Sequence, residues 1–254
     1  MLSIVIPTLN EEARLPRLLE SIKKEAINNC EIIVADAGST DKTRTIARAA
    51  GCRVVKGGLP AIGRNNGAKA AKGDMILFLD ADIETSPNFL MKALFEFDRK
   101  KLGIASFPIF PQRKNILLNK ATMNFFYNYP QRMLKKIFPM GAMGIMVKKY
   151  LFDKVGGFDP EIKLAEDIYF VQKVSEIEKF GVIKSAPLYM PLRRFEKDGY
   201  FSTASKFLLC SLYMVAIGPV KKDTFFFRYE FGYGPKENHK KEAVLSKGKD
   251  KKIG

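Results

Sequence analysis

The chain has 254 residues, 46% of them hydrophobic and 28% charged, enough apolar material to bury a large core and too much for global disorder. Lys and Arg number 43 against 27 Asp and Glu, a formal charge of +16 that points to phosphate-bearing partners: a nucleotide, a nucleic acid or an anionic membrane surface. Cys30, Cys52 and Cys210 are odd in number and form no C-x-x-C spacing, so neither a disulfide framework nor a zinc site is suggested, and a reducing, cytoplasmic setting is expected.

In chain order, residues 2–6 are expected as a strand, entered without a basic region or a long apolar leader, so no signal peptide is expected. Leu15, Leu18, Leu19 and Ile22 then mark one face of a helix. Asn10 is its expected N-cap, with Glu11 and Glu12 in the first turn, where the helix dipole favours acids. Residues 31–35 read as a second strand, Ser39 or Thr40 as the cap of a helix running to Ala50, and residues 52–55 as a third strand. Gly63-Arg64-Asn65-Asn66-Gly67 starts a helix ahead of a fourth strand at 75–79, and Ser86-Pro87 opens another, to Lys100, ahead of a fifth strand at 104–107. Such alternation predicts an α/β fold: a mostly parallel sheet with right-handed crossovers and helices on both faces.

Polar clusters recur at one end of these strands. Ile76, Leu77, Phe78 and Leu79 run straight into Asp80-Ala81-Asp82. An unbroken apolar run suits a central strand covered on both faces, and such strands deliver ligand groups where the chain leaves the sheet. Asp80 and Asp82 lie two apart and are expected to point the same way; their hard oxygens suit Mg2+ or Mn2+. Taken alone, the pair is equally a solvated turn or a helix cap. The first strand, however, exits into Pro7-Thr8-Leu9-Asn10-Glu11-Glu12 and the second into Asp36-Ala37-Gly38-Ser39-Thr40-Asp41, and all three clusters are expected to meet in one crevice. The segment from Gly63 to Gly67 would add free backbone N–H groups, and Arg64 its guanidinium, within reach of a diphosphate. Further on, Glu166 and Asp167 precede Ile168, Val171 and Val174 at the start of a helix, a place where acids are favoured by the dipole alone. His239 is the sole histidine and sits in a Lys-rich tail, which excludes a His-based triad or His metal cluster as the main chemistry.

With these segments in hand, the chain resembles the family 2 glycosyltransferases of the GT-A fold. The resemblance rests on residues 6–12, 36–41, 63–67, Asp80-Ala81-Asp82, and Gly156-Gly157-Phe158-Asp159 followed by Glu166-Asp167. It implies a metal-dependent, inverting, hexosyltransferase-like enzyme using a nucleotide-diphosphate sugar and Mn2+ or Mg2+. Pro7, Thr8, Asn10 and Glu11 would line the nucleoside pocket, Asp36 would bind the base, and Gly63, Arg64 and Ala81 would lie along the nucleotide and diphosphate. Asp82 would touch the cation, Asp80 the ribose or metal-bound water, and Glu84 would be a further metal contact. Asp167 would be the general base for an acceptor hydroxyl, with Glu166 orienting the acceptor or its loop.

The acceptor side is less defined. Residues 107–146 mix Phe125, Phe126, Tyr127, Tyr129 and Phe138 with Arg and Lys, a pattern open to core, lipid or nucleic acid. Arg193 and Arg194 would hold a phosphate acceptor, which is already ionised and needs no base. Residues 207–217 are apolar, too short to span a bilayer but long enough to lie on one, so a peripheral contact with the inner membrane surface is envisaged beside the buried-helix reading. The expected organisation is a GT-A domain at 1–195, a helical C-terminal extension at 196–235 and a basic, disordered tail at 236–254. The acceptor is expected to be a glycan or a polyprenyl phosphate. A nucleic-acid-binding or catalytically silent nucleotide-binding module is the alternative, but nucleic-acid binding would leave the acidic strand ends without a task.

Overall fold

The computed structural model describes residues 1–25, 27–112, 121–162 and 164–191, and isolated positions between 209 and 219. The expected 196–235 extension and the tail, and with them nearly all of the apolar 207–217 stretch, lie outside the described residues.

The chain runs through β1 (Leu2–Thr8), α1 (Leu15–Lys23), β2 (Cys30–Asp36), α2 (Thr43–Ala49), β3 (Arg53–Lys56), α3 (Pro60–Ala70) and β4 (Met75–Leu79). It continues through β5 (Glu84–Thr85), α4 (Phe89–Arg99), β6 (Ile104–Ser106) and β7 (Ile109–Pro111), then a π-helical turn (Asn124–Asn128) leading into α5 (Tyr129–Met133). β8 (Gly144–Lys148), α6 (Lys149–Val155), α7 (Glu166–Ser175), β9 (Phe180–Val182) and β10 (Leu188–Met190) complete it. A seven-stranded sheet has the order β3-β2-β1-β4-β8-β6-β9, and a three-stranded sheet the order β5-β10-β7.

Alternation along the central strands divides the core in two. Ile4, Ile6, Leu77 and Leu79 face one side with Leu15, Leu18, Leu19 and Ile22 of α1 and Phe89, Ala93 and Phe97 of α4. Val5, Ile76 and Phe78 face the other with Ala61 and Ala68 of α3, Phe152 of α6 and Phe170 and Val171 of α7. Each fully buried aliphatic or aromatic side chain contributes about 1.5–3 kcal/mol, and covering both faces is why these strands read as continuous apolar runs. On the second side the rings of Phe158 and Phe170 stack at 4.1 Å and Phe78 meets Phe158 edge-on at 5.0 Å, which fixes the loop before α7 against the central strand.

The five expected strands are present, and the sheet is mostly parallel. β8, not foreseen, runs antiparallel to both neighbours, pairing Leu79 with Gly144 and Ser106 with Ile145. The expected helix starts are corrected. α1 begins at Leu15, with no side-chain cap and no acid in its first turn. Asn10 instead takes a left-handed conformation (φ 54°), and its side chain is committed to Thr40. α2 begins at Thr43, whose N–H donates to Asp41 at 2.9 Å, so neither Ser39 nor Thr40 caps it. α4 starts at Phe89, and the carboxylate of Glu25, far away in sequence, accepts the N–H groups of Phe89 and Leu90 at 2.8 and 2.7 Å. That carboxylate satisfies two of the donors every helix start leaves open.

Candidate functional site

β1 and β2 are parallel neighbours with Thr8 opposite Asp36, so the loops that follow them leave the sheet side by side. Asp36 is buried at the end of β2, where its carboxylate accepts the Thr8 hydroxyl at 3.3 Å and the N–H groups of Gly38 and Ser39 at 3.1 and 3.0 Å. Gly38 sits at φ 95°, a conformation open to glycine, which lets the chain fold back over the carboxylate. The two loops then close on each other: the Asn10 N–H donates to Ser39 Oγ at 2.9 Å, the Thr40 N–H to Asn10 Oδ1 at 2.9 Å and the Glu11 N–H to Thr43 Oγ1 at 2.8 Å. Thr8, Asn10, Glu11 and Asp36 thus form one polar wall. Gly63 approaches the same wall, since a side chain there would meet Pro7 Cβ at 3.3 Å.

The expected diphosphate segment is placed differently from its sequence reading. Gly63–Gly67 is not the start of α3 but lies inside it, and the Gly63 N–H is taken by the Leu59 carbonyl at 2.8 Å, so it is not free for a ligand. What the helix offers is Arg64. Its buried guanidinium donates to Glu166 Oε1 at 2.6 Å and to Asp80 Oδ1 at 2.9 Å, and it lies 5.4 Å from the centroid of the Phe158 ring. Asn65, next along, clasps the loop of that ring, donating to the Phe158 carbonyl at 2.7 Å and accepting its N–H at 2.9 Å. Burial opposes the charge on Arg64, and Asp80, Glu166 and Asp167 more than offset that cost, holding its pKa above the ordinary arginine value.

Asp167 follows Glu166 at the start of α7. Loss of solvation and the neighbouring Glu166 push its carboxyl up to about 7, against the pull of Arg64. Tyr127, from the π-helical turn, lies in the field of Asp167, and burial together with that charge pushes its phenol up as well. Tyr127, whose hydroxyl accepts from Gln131 Nε2 at 3.2 Å, is a residue that sequence reasoning did not select for the site; nothing in an aromatic run distinguishes the phenol that comes within the field of a carboxylate.

The expected metal motif splits. Strand geometry ends at Leu79, so the rule that residues two apart share a direction does not extend over Asp80 and Asp82. Asp80 is engaged by Arg64, whereas Asp82 lines a cavity of about 140 Å³ with Arg14, Arg17, Ile83, Glu84, Gln112 and Pro191. Glu84 lies 3.8 Å from Arg17. Ala81 is buried in the core, so it can offer a ligand only its backbone. Among the described residues no three His, Cys, Asp or Glu side chains converge as a ready metal cage. The donor set still fits Mg2+ or Mn2+, cations that take one or two carboxylates and complete their shell with substrate phosphates. Arg193 and Arg194, the expected acceptor contacts, lie outside the described residues.

The sequence profile described as "Glycosyl transferase family 2" matches residues 3–156, from β1 through α6. The chain belongs to glycosyltransferase family 2. A relative from Haemophilus influenzae, described as an uncharacterized glycosyltransferase, is 29% identical over 72% of this chain and 65% of its own length. An undecaprenyl-phosphate 4-deoxy-4-formamido-L-arabinose transferase from Pseudomonas paraeruginosa is 36% identical over 34% of this chain and 29% of its own length. This family member therefore spans less than two thirds of these relatives. Among solved structures, a Pyrobaculum calidifontis mannosyltransferase in complex with GDP-Man and Mn2+ superposes with a TM-score of 0.67 at 19% identity, covering 87% of this chain and 65% of the other. S. aureus TarS with UDP-GlcNAc gives 0.61 at 20% identity, covering 84% and 66%. At such identities the likeness is one of fold, and the fold is GT-A.

Proposed function

We propose that this family 2 glycosyltransferase moves a sugar, with inversion, from a nucleotide-diphosphate sugar to a hydroxyl or polyprenyl-phosphate acceptor, using Mn2+ or Mg2+. The observation that carries this reading is Arg64: one buried guanidinium joins Asp80 of the metal motif to Glu166, beside the carboxyl of Asp167. Donor and acceptor groups are thereby held in one frame. The polar wall of Pro7, Thr8, Asn10, Glu11 and Asp36 receives the nucleoside. Asp167 takes the acceptor hydroxyl proton as the oxygen attacks the anomeric carbon, and the bond to the diphosphate breaks with its electron pair leaving on the phosphate oxygen. A divalent cation held by Asp82 and Asp80 would supply positive charge against the departing diphosphate. A carboxyl titrating near 7 is suited to this task, being both ionised in useful amount and basic enough to accept the proton. The Pyrobaculum structure with GDP-Man and Mn2+ and the undecaprenyl-phosphate relative support the donor, metal and acceptor classes.

A thermal-shift panel of UDP, GDP, CDP and dTDP and their sugars, with and without Mn2+ or Mg2+, tests the reading. At least one diphosphate should stabilise the fold, by about 2.7 kcal/mol at 100 times its dissociation constant, and more with metal than without. No metal-dependent shift with any of them would count heavily against it. In the same assay Asp82→Ala should abolish the metal-dependent part while leaving the chain folded, because the side chain stands in a turn beyond the strand and outside its apolar body. An unchanged metal response would make the Asp80-Ala81-Asp82 turn structural.

A further inference from the structure

Residues 121–133 are helical, through the π-helical turn and α5, and their polarity is inverted. The side chains turned to the protein include Asn128 and Gln131, both fully buried. Asn128 accepts the Ile109 N–H and donates to the Ile109 carbonyl, each at 2.9 Å, and Gln131 donates to Ser106 Oγ at 2.9 Å. Outward, every fourth residue is apolar: Phe125 is 71% exposed, Tyr129 61%, Met133 63% and Ile137, in the turn after the helix, 84%. Leu134 is exposed beside them, as are Lys135 and Lys136.

Rolling this segment over would bury the stripe but would break the paired bonds from Asn128 to β7. The rotation is therefore fixed with the apolar stripe in solvent, which costs the isolated protein apolar hydration and needs a partner to explain it. We propose that residues 125–137 are an interfacial segment that lies on an anionic bilayer surface, with Phe125, Tyr129, Met133 and Ile137 entering the acyl boundary and Lys135 and Lys136 meeting the headgroups. Charge decides for lipid over an apolar protein groove: both lysines flank the stripe and the whole chain carries +16. The same helical segment holds Tyr127 within the field of Asp167, so a surface docked here would lie on the side of the proposed base. Docking itself does not depend on the proposed reaction, and it is read by binding alone.

The test uses the full chain with vesicles of phosphatidylcholine alone and with about 30% phosphatidylglycerol. The protein should co-sediment with the anionic vesicles and much less with the neutral ones. The triple change Phe125→Ser, Met133→Ser and Ile137→Ser should weaken that binding at least about tenfold, and should leave the metal-dependent nucleotide shift in place. Because the sequence contains no tryptophan, Ile137→Trp gives a single reporter at a solvent-exposed position, usable even if the triple variant fails to fold. Its emission should move to the blue on anionic vesicles and be quenched by brominated lipid. Equal vesicle binding by the triple variant, no binding by the unaltered chain, or an unmoved tryptophan emission would each overturn the proposal. So would loss of a dimer, by sedimentation, in the triple variant, which would make the stripe a contact between two copies.

Discussion

Asp167→Asn is expected to lower turnover on a hydroxyl acceptor by about 100-fold or more while leaving the nucleotide-induced thermal shift unchanged. The amide keeps the shape and the place at the start of α7 but cannot take a proton. Since burial and Glu166 raise the carboxyl to about 7, the group is protonated and idle below that pH. In the parent enzyme, kcat/KM should fall about tenfold per pH unit as the medium is acidified below 7, and level off above it. The Asn variant should lack that limb. Near-normal turnover in the variant would remove Asp167 as an essential base and favour a phosphate acceptor, which arrives already ionised.

Arg64→Leu is expected to be the most damaging single change to the fold. It leaves Glu166 and Asp80 facing each other across a buried gap with no cation between them, a loss of about 3–5 kcal/mol for a broken buried pair. The lower end applies, because Asp80 keeps 31% of its side chain exposed and can recover some water. For a chain of this size that corresponds to a fall in Tm of about 6–12 °C. Removing Arg64 also removes the charge that holds the Asp167 pKa down, so the acidic limb of the rate profile should move to higher pH. Arg64→Lys retains the charge without the fork that reaches two carboxylates, and should fall between the two. A Tm within about 2 °C of the parent for Arg64→Leu would show that the triad is not holding the site together.

Much of this was legible before any coordinates. The apolar run at 76–79 reads as a covered strand because it is covered, and the loops after β1 and β2 meet because parallel strands deliver their exits to one edge. What escaped reading was set by distant parts of the chain. The Asn10 side chain looks like a cap and is a clasp, because Thr40 is brought beside it by the β1–β2 pairing. Glu25 gives no local sign that it caps α4. Arg64 was read as a diphosphate ligand, while its bonds to Asp80 and Glu166 depend on three separate elements meeting. Asn128 and Gln131 look like surface residues in an aromatic run until β6 and β7 supply their partners.

The reversed strand β8 has a further consequence for how such chains diversify. The chain leaves the large sheet at Ser106 and rejoins it at Gly144, next to Ile145, the pairing partner of Ser106, so departure and return are about one strand spacing apart. Everything between those points is a detour whose two ends are already closed by the sheet, and lengthening or replacing a closed detour costs little chain entropy. The polar wall proposed to receive the nucleoside is built from β1, β2 and the turns after them, outside that detour. Changes in that segment can therefore accumulate, or be exchanged as one cassette, while β1, β2 and β4 retain their register.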